Sequence, residues 1–186
     1  NEYRRAAIRE TWASHPLVPV WFFVGSPCKV PPSNRKPFHC STGSKSSSLD
    51  EQMQHDKILR IEARNLKNEM EAYGDVVELR TEEAYRHLPH KLVEAYDWLL
   101  EHEQFTYALK ADDDAFVYVN RFVEGISLEN RKSTMVYRGH IHSEASVPRG
   151  GKWAENTYVP DNYPPFANGA QGHVVSKDVA RFVVNH

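Results

Sequence analysis

The stretch FTYALKADDDAFVYV, residues 105–119, decides the predicted fold because it places three consecutive aspartates between two apolar runs. The runs FTYALKA (105–111) and AFVYV (115–119) are rich in the aromatic and β-branched residues that are typical of strands. Charged side chains are seldom placed between buried strands unless something offsets their charge. We therefore expect a partner that neutralises the aspartates.

The spacing of the aspartates indicates what that partner is. In an extended chain alternate residues share a side, so Asp112 and Asp114 converge while Asp113 points the other way. Two carboxylates about 5 Å apart repel by roughly 3 kcal/mol at an effective dielectric near 20. Oxygen ligands of this kind suit Mn²⁺ or Mg²⁺ better than Zn²⁺, with substrate phosphate and water completing the shell. The pattern predicts a metal site for a diphosphate substrate, and a solvated acidic turn is the alternative.

Outward from this stretch, helices and strands alternate along the chain. The predicted elements are a helix over 2–13, a strand over 18–25, a helix from Leu49 to Gly74, a strand over 76–79, a helix over 90–103, the strand over 105–111, the strand over 115–119, a helix over 120–129, a strand over 133–139 and a helix from Ser176 to His186. This order is typical of an α/β layer with a mostly parallel sheet flanked by helices. In such sheets ligands bind at the carboxyl ends of strands, where the aspartates lie.

Length and composition indicate one globular domain over residues 1–186. The chain is 40% hydrophobic and 26% charged, with a net charge of -2. That balance gives no general electrostatic reason to bind nucleic acid. The segment over 26–48 is rich in Pro, Ser and Lys with little apolar content, so we predict a flexible insertion there.

The cysteines and the apolar runs bear on the compartment. Cys28 and Cys40 flank that insertion, and the sequence leaves open whether they form a local disulfide or stay as two thiols. No apolar run approaches the roughly 20 residues that span a bilayer, and the N-terminal segment lacks the apolar core of a signal peptide.

Three basic side chains are candidates for binding a phosphate. Arg5 and Arg9 lie four residues apart on the first helix, and such a cationic pair is slightly repulsive without an anion. The alternative is a solvated face balanced by Glu2 and Glu10. Lys91 lies in the first turn of a helix, where backbone N–H groups favour an anion. The alternative is an ordinary surface lysine that binds no phosphate.

Two further motifs occur near the end of the chain. His140 and His142 have strand spacing, but no third ligand follows at a zinc-site spacing, so we interpret them as loop histidines. The stretch YPPFANGAQG (163–172) combines rigid prolines, aromatic faces and glycines, which suit either a ligand pocket or a structural turn. Its candidate substrate-binding residues are Tyr163, Pro164, Pro165, Phe166, Gly169 and Gly172.

Taken in order, five segments resemble glycosyltransferase family 31, the β-1,3-galactosyltransferase and β-1,3-N-acetylglucosaminyltransferase family. They are RRAAIRETW (4–12), WFFVG (21–25), YGDVVEL (73–79), LKADDDAFVYV (109–119) and NYPPFANGAQGHVVSKD (162–178). The resemblance implies a GT-A, Rossmann-like nucleotide-sugar transferase fold that is C-terminally incomplete here. It also implies a UDP-sugar donor, Mn²⁺ (with Mg²⁺ as the alternative) bound through an Asp-x-Asp motif, and inverting transfer to a sugar hydroxyl.

The resemblance also implies roles for single residues. Asp114 matches the acid that contacts the metal, and Asp112 and Asp113 match positions serving the metal, its waters and the ribose. Arg5 and Arg9 match arginines near the nucleotide diphosphate. Lys91 falls where the family has a lysine in a Leu-Lys-Thr segment, and Tyr163 to Gly172 match the region that shapes the sugar pocket.

The chain departs from the family pattern at several points. Phe166 replaces a common tyrosine, and AsnGlyAlaGlnGly (168–172) departs from the usual glycine run, so sugar specificity does not transfer. The family's Glu-Asp-Val motif, which holds the catalytic base, and a later histidine ligand would fall beyond His186. We therefore expect this fragment to lack the base and the membrane anchor of its parent.

The function predicted from the resemblance is transfer of a hexose or N-acetylhexosamine in β-1,3 linkage to a glycan acceptor on a glycoprotein or glycolipid. Members are typically single-pass type II proteins of the Golgi membrane with a lumenal catalytic domain. The alternative is a non-catalytic nucleotide-sugar-binding homologue. A two-metal phosphohydrolase is a second enzyme hypothesis, but the clustered His and Asp ligands of such sites are missing from the sequence pattern.

Overall fold

The computed structural model describes residues 2–127, 134–151 and 153–186. Backbone contacts divide the chain into two compact units, of which the first contains residues 3–18 and 100–186 and the second residues 19–99. That these two units form one domain over residues 1–186 stays a prediction.

The second unit is built on two parallel strands and two helices. Its elements are β1 (Phe22–Ser26), α2 (Leu49–Tyr73), β2 (Val76–Glu82) and α3 (Leu88–His102), the last of which continues beyond the unit's final residue. β1 and β2 pair in parallel from Phe22 opposite Val76 to Gly25 opposite Leu79. The predicted order of strand, helix, strand and helix is confirmed in this part of the chain.

Helix α2 begins and ends where the sequence predicts, but it buries a different face. The Ser48 side chain and Glu51 form a reciprocal capping box, and Gly74 ends the helix in the left-handed region with φ of 68°. The spacing of the apolar residues predicts one buried face made of Met53, Ile58, Ile61, Leu66 and Met70. That prediction is wrong, since Met53 is 62% exposed while His55 and Glu69 are buried. His55 is buried because its ring makes a polar contact with the adjoining loop, 3.0 Å from the Cys28 carbonyl.

A register shift interrupts the pairing of β1 with β2. After Gly25 opposite Leu79, Ser26 lies opposite Glu82, so two residues of β2 bulge out of the ladder. The carboxylate of Glu94 on α3 accepts hydrogen bonds from the backbone N–H groups of Arg80, at 2.8 Å, and Thr81, at 2.9 Å. A helix side chain thereby satisfies the donors that the bulge frees from strand pairing.

The 26–48 segment is organised around a disulfide, which decides between the two alternatives for the cysteines. Cys28 and Cys40 are bonded, with 5.6 Å between their Cα atoms. The Cys28 carbonyl also accepts a hydrogen bond from Arg35, at 3.1 Å. A short bridge pairs Arg35 with Thr42. Cross-linking and backbone contacts thus organise a segment with little apolar content.

The first unit contains the remaining elements. They are α1 (Glu2–Glu10), β3 (Tyr107–Lys110), α4 (Val119–Ser127), β4 (Tyr137–Gly139), β5 (Ile141–His142), β6 (Phe166–Ala167), β7 (His173–Ser176) and α5 (Lys177–Asn185). β7 lies between β3 and β4 and is antiparallel to both. β5 and β6 form a second antiparallel pair.

The α/β class is confirmed. The mostly parallel sheet is not, because among the strands that the structure describes only β1 and β2 pair in parallel. The first unit's described strands pair in antiparallel fashion because β3 takes β7 as its neighbour, more than sixty residues later in the chain. Local periodicity carries no information about so distant a pairing. No strand is predicted at β7, because HVVS follows a stretch dominated by turn residues.

The predicted strand over 115–119 is wrong. Ala115 N–H donates to the Asp112 carbonyl at 3.1 Å, which closes a turn, and α4 begins at Val119. Phe116 and Tyr118 are 62% and 67% exposed. Alternating apolar residues make a strand only when a neighbouring backbone pairs with them, and the Ala115 carbonyl accepts instead from the Trp12 indole at 3.2 Å.

Other predicted boundaries shift by a few residues. Helix α1 ends at Glu10 rather than residue 13, and a short 3-10 turn follows at Trp12–Ser14. The end of the helix predicted over 120–129 and the start of the strand predicted over 133–139 lie outside the described residues.

Ser176 precedes α5 as predicted, yet its hydroxyl does not cap the helix. The residue is completely buried. Its hydroxyl donates to Asp178 at 2.6 Å and accepts from the Val136 backbone N–H at 2.9 Å. The serine, at the end of β7, therefore links the residue before β4 to the first turn of α5 through hydrogen bonds.

Candidate active site

The three aspartates lie in a turn at the carboxyl end of β3. β3 ends at Lys110, opposite His173 of β7, and the turn closes between Asp112 and Ala115. The premise of an extended chain is therefore wrong, and strand alternation does not decide which carboxylates share a side. The predicted position at a strand's carboxyl end is nevertheless confirmed.

A guanidinium from helix α1 pairs with two of the aspartates. Arg4 Nη1 lies 2.6 Å from a carboxylate oxygen of Asp113 and 3.6 Å from one of Asp114. The hydrogen bond to Asp113 raises the pKa of Arg4 further above its ordinary value. One side chain from the start of the chain thus neutralises part of the charge of the aspartate turn.

The third aspartate pairs with the last residue of β3. The Lys110 ammonium donates to Asp112, and it also donates to the Gly169 carbonyl at 3.0 Å. The expected neutralising partner therefore exists within the chain itself, as two cationic side chains. Sequence reasoning missed both, since Lys110 sat in an apolar run and nothing distinguished Arg4 from the adjacent Arg5.

The Gly169–Gln171 turn packs closely against the end of β3. The Asn168 side chain accepts a hydrogen bond from the Ala170 N–H at 3.0 Å and so caps the turn. Gly172 has φ of 77°, and a Cβ placed there would lie 2.6 Å from the Lys110 carbonyl oxygen. This position requires glycine for both conformation and space.

Four rings form a row beside that turn, within the first unit. Tyr158 stacks on Tyr163, with ring centroids 5.4 Å apart, and Tyr163 meets Phe166 edge-on at 5.7 Å. Phe166 stacks in turn on His142 at 5.6 Å. Pro164 and Pro165 are exposed between them. The predicted pocket residues are thus brought together with Gly169 and Gly172 in one part of the fold.

The two histidines of GHIH contribute to that arrangement through β5. The Asn168 amide nitrogen lies 3.1 Å from His142 Nε2, and the Asn168 backbone N–H donates to the His140 carbonyl at 2.8 Å. Because Asn168 already accepts through its oxygen, its amide nitrogen is placed to donate to His142 Nε2. Both histidines support the turn, which their spacing alone did not reveal.

A cleft of about 310 Å³ is lined by residues of α4 and of the strands β3, β4 and β7. Arg121 and Arg138 line it beside apolar side chains, and Gln171 and Gly172 form part of its wall. The cleft therefore adjoins the Gly169–Gln171 turn, and its two arginines bring positive charge to that side of the turn.

The predicted phosphate-binding arginines occupy different environments from Arg4. Arg5 is buried on α1, at 9% exposure, and Arg9 is half-buried. Both make interactions of their own. The structure brings Arg4 to the aspartates, and a role for Arg5 and Arg9 at the diphosphate stays a prediction.

Lys91 belongs to the second unit, where its ammonium lies 2.7 Å from a carboxylate oxygen of Glu83. The same Glu83 oxygen accepts the Gly25 N–H at 2.9 Å, at the carboxyl end of β1. A Cβ at Gly25 would lie 2.7 Å from the Thr81 carbonyl oxygen. Lys91 thus helps organise a strand end, and its contact with a nucleotide stays a prediction.

The aspartate turn fits a hard divalent cation by its donor chemistry. Asp112, Asp113 and Asp114 present carboxylate oxygens on side chains that are 42%, 39% and 66% exposed. Two cationic groups already occupy them. Over the residues that the structure describes, no three His, Cys, Asp or Glu side chains are grouped so that they could hold a metal by themselves. Such a site suits a cation that keeps waters and takes phosphate oxygens as ligands.

Comparison with known proteins places the chain in a family. The galactosyltransferase family profile matches residues 51–186, which is well over half of the chain. The chain therefore belongs to the galactosyltransferase family, glycosyltransferase family 31, and the resemblance drawn from its ordered motifs is confirmed.

Individual relatives are similar over most of the chain. A human UDP-GalNAc:beta-1,3-N-acetylgalactosaminyltransferase 2 is 33% identical over 71% of this chain and 26% of its own length. Beta-1,3-galactosyltransferase 6 of Mus musculus is 31% identical over 66% of this chain and 38% of its own length. A hydroxyproline O-galactosyltransferase of Arabidopsis thaliana is 32% identical over 64% of this chain and 18% of its own length. The chain spans about a quarter of the length of the first curated relatives it matches.

Among the helices that the structure describes, none combines the length and the apolar character needed to cross a bilayer.

Proposed function

We propose that this chain is the donor-binding part of an inverting β-1,3-glycosyltransferase of GT-A fold. It would transfer a hexose or N-acetylhexosamine from a UDP-sugar to a sugar hydroxyl of a glycoprotein or glycolipid. The observation that carries the proposal is the aspartate turn at the end of β3, with Arg4 and Lys110 at its carboxylates. Membership of a galactosyltransferase family gives that turn its chemical context.

Asp112 and Asp114 are the proposed ligands of Mn²⁺ or Mg²⁺. A bound divalent cation supplies Lewis-acid stabilisation of the charge that develops on a departing nucleoside diphosphate. Arg4 holds Asp113 by a charge-assisted hydrogen bond, which orients the middle of the turn. Asp113 is proposed to serve a ribose hydroxyl or a metal-bound water, which is the role that the family resemblance implies.

The glycine turn and the aromatic row are proposed to bind the transferred sugar. Gly169 and Gly172 let a ligand approach the backbone, and the faces of Tyr163 and Phe166 suit the apolar side of a sugar ring. Pro164 and Pro165 fix the backbone between the rings. Arg5, Arg9 and Lys91 are proposed to contribute positive charge for the diphosphate.

The resemblance supplies two further parts of the proposal. The base that takes the proton from the acceptor hydroxyl is proposed to be a carboxylate of a Glu-Asp-Val segment in the parent protein. The proposed compartment is the Golgi lumen, with the parent anchored as a type II membrane protein. The bond between Cys28 and Cys40 supports an oxidising compartment of this kind.

A non-catalytic nucleotide-sugar-binding homologue is a second candidate. The observation that favours it is that all three aspartates have cationic partners within the chain, so most of the turn's negative charge is offset without a metal. Detection of sugar transfer by the parent protein would exclude this candidate.

The experiment that tests the proposed function is calorimetric titration of UDP into the protein with and without Mn²⁺, with Asp114→Ala as the variant. We expect binding that requires Mn²⁺ and that falls at least about tenfold in the variant, because one of two carboxylate ligands is lost. Glu101→Ala, an exposed acid on α3, serves as the control. Equal binding with and without Mn²⁺ would contradict the proposal, as would full binding by Asp114→Ala.

A further inference from the structure

Lys110 contacts the glycine turn in two ways. Its ammonium donates to the Gly169 carbonyl at 3.0 Å, while its own carbonyl faces the backbone of Gly172, where a Cβ would approach within 2.6 Å. The residue is the last of β3 and is fixed in register opposite His173. Its backbone is therefore held in place, and only its side chain is free to change partners.

The same ammonium pairs with Asp112, one of the proposed metal ligands. Ammonium and a divalent cation compete for a carboxylate, since each is stabilised by the same oxygens. A cation that binds Asp112 therefore weakens the hold of that carboxylate on Lys110. The ammonium is then available to an anion beside Gly169.

Charge counting shows what this competition does to the site. Three carboxylates and two cations, Arg4 and Lys110, leave the aspartate turn with one net negative charge. Addition of a divalent cation changes that to one net positive charge, which attracts a diphosphate. Without Lys110 the corresponding values are two negative charges and zero, so the turn attracts the metal more strongly and the diphosphate less.

We propose that Lys110 is a positioning residue that couples cation binding at the aspartate turn to diphosphate binding beside the Gly169–Gln171 turn. In the ligand-free state it occupies Asp112 and tethers the glycine turn. When a divalent cation occupies Asp112, Lys110 keeps its contact with the Gly169 carbonyl and directs its charge to the donor phosphate. This inference rests on the proposed function and adds a role for a residue outside the aspartate motif.

The test measures two affinities in Lys110→Met, Lys110→Arg and the wild-type protein. Binding of Mn²⁺ alone is followed by electron paramagnetic resonance, and binding of UDP at saturating Mn²⁺ by calorimetry. Lys110→Met is expected to bind Mn²⁺ at least about threefold more tightly and UDP at least about threefold more weakly, because one positive charge is removed. Lys110→Arg retains the charge and is expected to stay closer to wild type in both. Lys45→Met, at an exposed lysine, is the matched control.

In Lys110→Met the affinity for Mn²⁺ is expected to rise and the affinity for UDP to fall, and these opposite changes distinguish coupling from a purely structural role. A residue that only supports the fold would weaken both affinities when replaced, so a loss of both in Lys110→Met would overturn the inference, as would no change in either. Failure of the wild-type protein to bind Mn²⁺ and UDP would instead overturn the proposed function. Should Lys110→Met not fold, Lys110→Gln provides the same loss of charge with a polar side chain, and the same pair of signs is required of it.

Discussion

At the scale of single residues, the charge of the aspartate turn is met by side chains that lie far away or look unremarkable in the sequence. Arg4 precedes Asp113 by 109 positions, and Lys110 is surrounded by apolar neighbours. Each pairs with a carboxylate through a charge-assisted hydrogen bond. The local consequence is a turn whose charge is largely offset by two cations of the chain and whose carboxylates stay accessible to solvent.

Gly172 gives a test of how closely the glycine turn must approach β3. Gly172→Ala is expected to lower the free energy of unfolding by about 2 kcal/mol or more, because φ of 77° is strained for alanine and its Cβ would meet the Lys110 carbonyl. Urea denaturation measures the change. Gly169→Ala is the matched control, since a Cβ there meets nothing within 4 Å. Equal stability of the two variants would show that the approach at Gly172 is not required.

At the scale of elements, the ends of β1 and β2 are organised by carboxylates that lie outside those two strands. Glu94 of α3 satisfies the bulge of β2, and Glu83 accepts the Gly25 N–H. Burial by itself would raise the pKa of Glu94, but hydrogen bonds from Arg80 and Thr81 outweigh it and lower the pKa to about 2. The bulge and the carboxylate therefore stabilise one another.

The pKa of Glu94 predicts a pH dependence of stability. The folded-state pKa lies below the ordinary value of 4.5, so the contribution is present above that value and is lost as pH falls toward about 2. A shift of this size corresponds to about 3 kcal/mol, and solvent screening reduces the expected contribution to about 1–2 kcal/mol.

Glu94→Gln is the variant for this prediction. It is expected to be about 1–2 kcal/mol less stable than wild type at pH 7, and the difference should shrink at pH 3, as measured by urea denaturation at both values. Glu101→Gln, an exposed acid on the same helix, is expected to have no comparable effect. A difference for Glu94→Gln that is the same at both pH values would contradict the assigned pKa.

At the scale of the whole molecule, the described residues form two compact units with different means of stabilisation. The first unit joins short antiparallel strands through a buried row of β7 residues, Val174, Val175 and Ser176. The second holds a long polar segment by a disulfide and by side chains that bind backbone carbonyls. Family membership applies to residues drawn from both units.

The disulfide should contribute strongly to the second unit. Cys28 and Cys40 close a loop with a sequence separation of 12. A cross-link over such a loop restricts the unfolded chain and is worth about 3 kcal/mol. The double variant Cys28→Ala/Cys40→Ala is therefore expected to unfold at lower urea concentration than the oxidised protein. The reduced wild-type protein is the control. If the double variant were as stable as the oxidised protein, hydrogen bonding alone would maintain the segment.

The sequence predicted much of the element order but less of the site. Helix α2 was predictable at both ends because Ser48 and Gly74 are local signals. The strand predicted at 115–119 was wrong because strand formation depends on a partner. Tyr163, Phe166, Gly169 and Gly172 were identified from composition, whereas His142 and Asn168 became interpretable only through their mutual contact.

The sequence by itself determined the family, the position of the aspartates at the end of a strand and the glycine and aromatic character of the adjoining turn. These follow from local order, which a linear pattern preserves. Only the tertiary structure decided that β7 pairs with β3, that Cys28 bonds Cys40, and that Arg4 and Lys110 neutralise the aspartates. Such pairings depend on distances between residues remote in the chain, which are set by folding and which residue order alone does not specify.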